Sequence, residues 1–111
     1  MDDLTRIFGA LADPTRRAIL ARLIQGEATV RELAEPFSMS MPAVSKHVKV
    51  LETAGLLSQR VAKQTRPCRV NADNIKLAAD YVEMFRPFWD SRFDQLERYI
   101  ETMKSTEQNN D

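Results

Sequence analysis

The sequence predicts a mainly α-helical domain with one small β-hairpin, and three features point to it. Two short helices joined by a tight turn can be read between Thr29 and Leu57. A polar connection between two strand-like segments follows at 56–70. Apolar residues before and after this block recur every three or four positions, which is helical spacing.

The elements follow in order. Leu4, Ile7, Phe8 and Leu11 make an i, i+3, i+4, i+7 stripe, so the first helix is expected from about Leu4 to Ala12. Asp13 is the expected cap of the second helix, with Pro14 at its first position and Gly26 past its end. Ala18, Ile19, Leu20, Leu23 and Ile24 give that helix a wide apolar surface. Arg16, Arg17 and Arg22 are expected on its exposed side, where Arg16 and Arg17 can touch phosphate or pair with acids, the pairing being favoured. Thr29 and Glu32 form a T-x-x-E capping box opening a third helix, Val30 to about Glu35, which Pro36 closes. Phe37 and Met39, in the turn, are expected to point inward. Ser40 caps a fourth helix, with Pro42 in its first turn and Gly55 past its end. Val44, Val48 and Leu51 follow buried spacing, which leaves Ser45, Lys46 and Lys49 facing out.

Leu56–Val61 and Arg66–Val70 read as two strands joined by Ala62–Thr65. The connection has no glycine, and Pro67 is expected to confine its strand to an edge. From Asn71 to about Lys104 the pattern is one long helix, capped by Asn71 or Asp73, with a kink near Met84–Phe88 caused by Pro87. In order this is four helices, two strands and a last helix, a winged helix-turn-helix. The outer face of its fourth helix would fit the major groove of DNA.

Residues 1–104 are expected to form a single domain, with 105–111 as a flexible tail. The chain carries 16 basic and 16 acidic residues, but they are unevenly distributed. Residues 38–70 hold Lys46, Lys49, Arg60, Lys63, Arg66 and Arg69 against Glu52 alone. Distribution rather than net charge is the electrostatic footprint of a nucleic-acid binder. The single cysteine implies no disulfide framework, no signal segment is evident, and no apolar run reaches the ~20 residues that span a bilayer. No membrane partner and a cytoplasmic location are therefore expected. With one His, one Cys and three Gly, no catalytic constellation or phosphate loop can be assembled, and no enzyme activity or cofactor is expected.

Phe8 to Leu20, Glu32-Leu33-Ala34 and Met39 to Leu51 together resemble the ArsR/SmtB-type transcriptional repressors. The similarity extends over roughly residues 4–100, and the Asp-Pro-Thr-Arg and Ser-Lys-His-Val segments are specific in combination. The resemblance implies a dimeric winged-helix protein that represses transcription and is released by a signal. Many relatives sense metals through cysteines on the first helix of the motif or through Asp and His on the last helix. Here residues 30–35 lack cysteine, and Asp80, Glu83, Asp90 and Asp94 have no histidine beside them, so no metal is expected.

The expected partners are double-stranded DNA and a second copy of the chain, on a palindromic operator that includes the chain's own promoter. DNA contacts are expected from Ser38, Ser40, Met41, Pro42, Ser45, Lys46, His47, Lys49, Lys63, Gln64 and Arg66, although Ser40 also fits a plain cap and His47 a partly buried residue. The last helix would outrun the domain's own core, so Leu4, Ile7, Phe8, Leu11, Phe88, Trp89, Phe93, Leu96 and Ile100 are expected at a dimer interface. Three alternatives accompany this reading. One is a small organic effector in a pocket lined by Phe85, Phe88 and Trp89 between the first and last helices. Another is a thiol switch at Cys68, activated by Arg66 and Arg69. The third is a protein–protein module that does not bind DNA.

Overall fold

The computed structural model describes residues 1–109. It contains six helices and three short strands: α1 (Asp3–Leu11), α2 (Pro14–Ile24), β1 (Ala28–Thr29), α3 (Val30–Ala34), α4 (Met41–Thr53), β2 (Leu57–Gln59), β3 (Pro67–Val70), α5 (Ala72–Glu83) and α6 (Arg86–Asn109). Residues 1–78 form one compact unit and the chain from Ala79 onward forms a second.

Side-chain caps set where the helices begin. The carboxylates of Asp2 and Asp13 accept from the backbone N–H of Thr5 and Arg16 at the starts of α1 and α2. Both bonds of the Thr29–Glu32 capping box form at α3. Ser40 Oγ accepts from the Ala43 N–H at the start of α4. Each bond satisfies a donor that the helix leaves unpaired. At the other end of α4, the Leu56 N–H reaches Leu51 O and the Gly55 N–H reaches Glu52 O, both at 2.9 Å. That pair of bonds is a Schellman motif, and Gly55 adopts the positive φ it requires, 76°.

The core of the first unit is drawn from every element through α5. Ile7, Ile19, Leu33, Val44, Val48, Leu51, Leu56 and Cys68 are the largest fully buried side chains, and no polar residue is buried with them. Burial of each large aliphatic side chain stabilises the fold by about 1.5–3 kcal/mol. Phe37 packs against this core as expected, whereas Met39 is exposed.

Four expectations are corrected. First, the hairpin gains a third strand. The sheet order is β1-β3-β2, with Ala28 opposite Cys68 on one side and Leu57 opposite Val70 on the other. Pro67 therefore lies in the central strand rather than at an edge. It fits because it is the strand's first residue, where a missing N–H is tolerated, and its carbonyl still accepts from the Arg60 N–H at 3.1 Å.

Second, the long last helix is two helices. In an unbroken helix the Pro87 ring would collide with the carbonyl of Glu83. α5 instead ends at Glu83 and α6 starts afresh at Arg86, which places Pro87 in a first turn. An Arg86–Glu83 ion pair bridges the break. α6 continues through Asn109, so residues 105–109 of the expected tail are helical, while 110 and 111 lie outside the described residues.

Third, Ile7 is fully buried in the core of its own chain and so cannot serve a dimer interface, and Leu11 packs against the same core. Fourth, Cys68 is not an activated thiol. It is fully buried on the central strand, and burial, followed by the charge of Glu52, pushes its pKa from 9.0 to about 11.

Two outcomes follow. At Gly55 an added Cβ would lie 2.2 Å from Asn74 Nδ2, the atom that donates to Gly55 O, and would require a left-handed conformation. Gly55→Ala should therefore lower unfolding stability by about 2 kcal/mol in urea denaturation, and a loss below about 0.5 kcal/mol would contradict the cap assignment. For Cys68 the folded pKa is raised, so its contribution to stability is complete below pH 9.0 and is lost as pH rises through about 11. Near pH 8 the folded thiol should react with a disulfide reagent at least about tenfold more slowly than the unfolded chain, and equal rates would refute its burial.

Candidate nucleic-acid interface

α4 carries most of the residues from which DNA contacts are expected. With Val44, Val48 and Leu51 turned into the core, Ser45, Lys46 and Lys49 are exposed on the opposite side. Met41 and Pro42, in its first turn, are exposed, as are Ser38 and Ser40 before it. The oxygen of Ser40 is engaged as a cap, which leaves its O–H free to donate outward. The N-terminus of this 13-residue helix adds a positive dipole end beside the serines.

The hairpin tip forms the second part of the surface. Ala62 and Thr65 exchange backbone hydrogen bonds at 3.0 Å, closing a two-residue turn over Lys63 and Gln64. Lys63 adopts φ 58°, a conformation more often taken by glycine. The Thr65 hydroxyl steadies the turn by donating to Ala62 O at 2.8 Å. Lys63, Gln64 and Arg66 are all exposed.

Between α4 and the hairpin lies a cleft of about 590 Å³. Ser45 lines it from α4, and Gln64 and Arg66 line it from the hairpin, so three of the residues expected from the sequence come together. Arg31 of α3 lines it too, beyond that expectation. Its signal was present in the sequence, because the phase that buries Leu33 turns Arg31 outward. No carboxylate lines the cleft.

The basic residues near this surface are not equivalent. Arg60 is held by Glu27 through paired bonds, Nη2–Oε2 at 2.9 Å and Nε–Oε1 at 3.4 Å. That pairing holds the Glu27 carboxyl below its ordinary range and raises the Arg60 guanidinium. Lys49 bridges to Glu52 at 3.3 Å on the surface, an arrangement that contributes little. Arg69 donates to Ser58 Oγ at 3.4 Å. Lys46, Lys63 and Arg66 form no ion pair among the described residues.

His47 is turned toward the helix junction and away from the outer face. Its Nδ1 lies 3.8 Å from Asp13 Oδ2 and 3.3 Å from Arg16 Nη1. Arg16, expected to pair with an acid, instead donates its Nε to Ala10 O at 2.7 Å and its Nη2 to Gly9 O at 3.1 Å. Arg17 donates to Leu11 O at 2.8 Å. These arginines satisfy carbonyls at the C-terminal end of α1, where the helix dipole favours a cation. The Asp13 carboxyl is held below its ordinary range, first by the Arg16 N–H and then by the charges of His47 and Arg16.

Among the described residues, no group of three or more His, Cys, Asp or Glu side chains is placed to hold a metal ion. Among the same residues, no helix is long and apolar enough to cross a membrane.

Comparison with known proteins agrees with this architecture. Residues 11–60 match the helix-turn-helix domain family. An HTH-type transcriptional regulator of Mycobacterium tuberculosis is 46% identical over 84 residues, 76% of this chain and 76% of that protein. The transcriptional repressor SdpR of Bacillus subtilis is 40% identical over 55 residues, 50% of this chain and 61% of its own length. The crystal structure of an ArsR family transcriptional regulator, 39% identical, superposes with a TM-score of 0.73 and covers 80% of this chain and 92% of its own. A homodimeric winged helix-turn-helix DNA-binding domain from Mycobacterium bovis, 28% identical, gives a TM-score of 0.64 and covers 77% of this chain and 82% of its own. With an exposed fourth helix, a basic hairpin beside it and identity to such regulators over most of its length, the chain belongs to the ArsR family of winged helix-turn-helix transcription regulators.

Proposed function

We propose that this protein is a homodimeric transcriptional repressor that occludes a promoter by binding a near-palindromic operator, including the promoter of its own gene. The observation that carries the reading is the cleft between α4 and the hairpin, lined by Ser45, Gln64 and Arg66 and containing no acid. In this reading Lys46 enters the major groove, and Met41 and Pro42 pack against the edges of bases or sugars. Ser38, Ser40, Ser45 and Lys49 bind along the backbone, and Lys63, Gln64 and Arg66 reach the neighbouring phosphates or minor groove. His47 acts from behind, fixing α4 through Asp13 and Arg16. Working on chromosomal DNA, the protein would act in the cytoplasm.

The dimer rests on α6. Trp89, Phe93, Leu96, Ile100 and Met103 recur at alternating steps of four and three, the spacing of a helix–helix seam. No residue of α6 is buried within its own chain among those described, and Leu96 is 53% exposed. Stripes this apolar are generally covered by a partner. Phe88, with Leu4 and Phe8 of α1, is offered as a further part of the interface. The Mycobacterium bovis domain is itself homodimeric, which supports the same arrangement here. Two recognition helices related by a two-fold axis read half-sites about 34–36 Å apart, which is the reason for a palindrome.

Regulation through Cys68 has no support from its buried, protonated state. A scaffold that never touches DNA would have no use for the cleft's basic, acid-free lining.

The experiment is a mobility shift with DNA from upstream of the gene, across a range of salt concentrations. Lys46→Ala and Arg66→Ala should each weaken binding and flatten the slope of log affinity against log salt by about one unit. Unchanged affinity and slope in both variants would remove these residues from the interface. Sedimentation at micromolar concentration should give a dimer for the unaltered protein and a monomer for Leu96→Glu, with operator binding lost alongside. A stable monomer that still protects both half-sites would defeat the dimer.

A further inference from the structure

α1 and the C-terminal half of α4 enclose a second groove, of about 410 Å³, which shares only Lys49 with the proposed DNA contacts. Gly9 and Ala10 of α1 and Val50 and Ala54 of α4 give it an apolar lining, and Val50 is 42% exposed. Arg6 and Lys49 belong to the same lining, and no carboxylate does. Grooves of roughly 300–1,000 Å³ with an apolar wall and a few polar groups are the usual form of a small-molecule site.

Gly9 gives the groove its room. Glycine weakens a helix interior, and Gly9 is not among the residues with positive φ, so the backbone does not require it. A Cβ added there would meet nothing within 4 Å, so the space beside it is open. Helical phase also separates the groove from the apolar stripe of α1. At about 100° per residue, Thr5 and Gly9 lie on a different face from Leu4 and Phe8. A partner copy seated on that stripe would leave the groove accessible.

We propose that this groove binds a free medium-chain fatty carboxylate, and that its occupancy loosens the protein's hold on DNA. The second half of the proposal rests on the DNA-binding reading above. The apolar tail would lie along Gly9, Ala10, Val50 and Ala54, and the carboxylate would be held by Arg6 and by Lys49, which would exchange its surface bridge to Glu52 for the ligand. α4 forms one wall, so the ligand touches the recognition helix directly. α1 is tied to the same helix a second time, because Gly9 O accepts from Arg16 Nη2 at 3.1 Å and Arg16 Nη1 stands 3.3 Å from His47. A bound carboxylate draws Lys49 away from phosphate and places a negative charge beside a helix that must approach a polyanion. The two ligands therefore disfavour one another, and by linkage each weakens the other equally.

The test is calorimetric titration of the full chain with decanoate, with decanol as the uncharged control, followed by operator binding in saturating decanoate. One decanoate per protomer is expected, with decanol at least about tenfold weaker and operator affinity reduced about tenfold. Gly9→Leu, which fills the groove, should bind decanoate at least about tenfold more weakly and make operator binding indifferent to it. Arg6→Gln, a surface change with no folding risk, should weaken decanoate about fivefold while leaving operator affinity without decanoate unchanged. Absence of decanoate binding, equal binding by Gly9→Leu, decanol as tight as decanoate, or operator affinity indifferent to decanoate would each overturn the proposal. Decanoate binding in a chain that never binds its upstream DNA would keep the site and overturn the DNA reading instead.

Discussion

Everything on the outer surface of the fourth helix depends on what its inner surface does. Val44, Val48 and Leu51 are essentially without solvent exposure, and their burial fixes the rotation of α4 about its own axis. One residue of slippage would turn the helix by about 100° and carry Ser45, Lys46 and Lys49 off its outer face. The ends are fixed as well, by Ser40 at the start and by Gly55 and Leu56 closing the last turn. A helix held in phase and at both ends can present short polar side chains with little loss of entropy on binding.

A second constraint joins three helices at one point. Asp13 starts α2, its carboxylate lies near His47 of α4, and Arg16 between them reaches back to the last carbonyls of α1. Each contact taken singly is an ordinary cap or surface bond. Together they relate the orientation of α1 to that of α4. This is the connection through which the proposed ligand beside Gly9 would act on α4.

What could be read from the sequence divides along sequence distance. Caps close over three residues, so Asp13, Thr29–Glu32 and Ser40 were visible directly. The buried stripe of α4 follows helical spacing and was equally plain, and with it the outward-facing Ser45 and Lys46. Contacts made across the chain left no such mark. Glu27 lies 33 residues from Arg60, and nothing near either residue announces the pair. Nor does any local signal pair Ala28 with Cys68, the bridge that makes the Pro67 strand central. Ile7 was misplaced for another reason. Leu4, Ile7, Phe8 and Leu11 lie on one face, and periodicity records that a face is apolar without recording whether its own chain or a partner covers it.

The zero net charge of the chain is reconciled with DNA binding by where the acids are held. In the first unit Asp2, Asp13 and Glu32 lie at helix N-termini, bonded to backbone N–H groups that depress their pKa values. The partial positive charge of a helix start offsets much of their field. Glu27 is bonded to Arg60, and Glu52 to Lys49. These five acids spend their charge on local structure, while Arg31 and Arg66 line a cleft that contains no carboxylate. At physiological salt, charges more than about 8 Å apart are largely screened from one another in solvent. An approaching phosphate thus responds to the cations of the cleft wall rather than to the sum over the molecule. Whether such a surface attracts DNA is decided within about one Debye length of it, and the charged residues of the cleft lining, Arg31 and Arg66, are both cations.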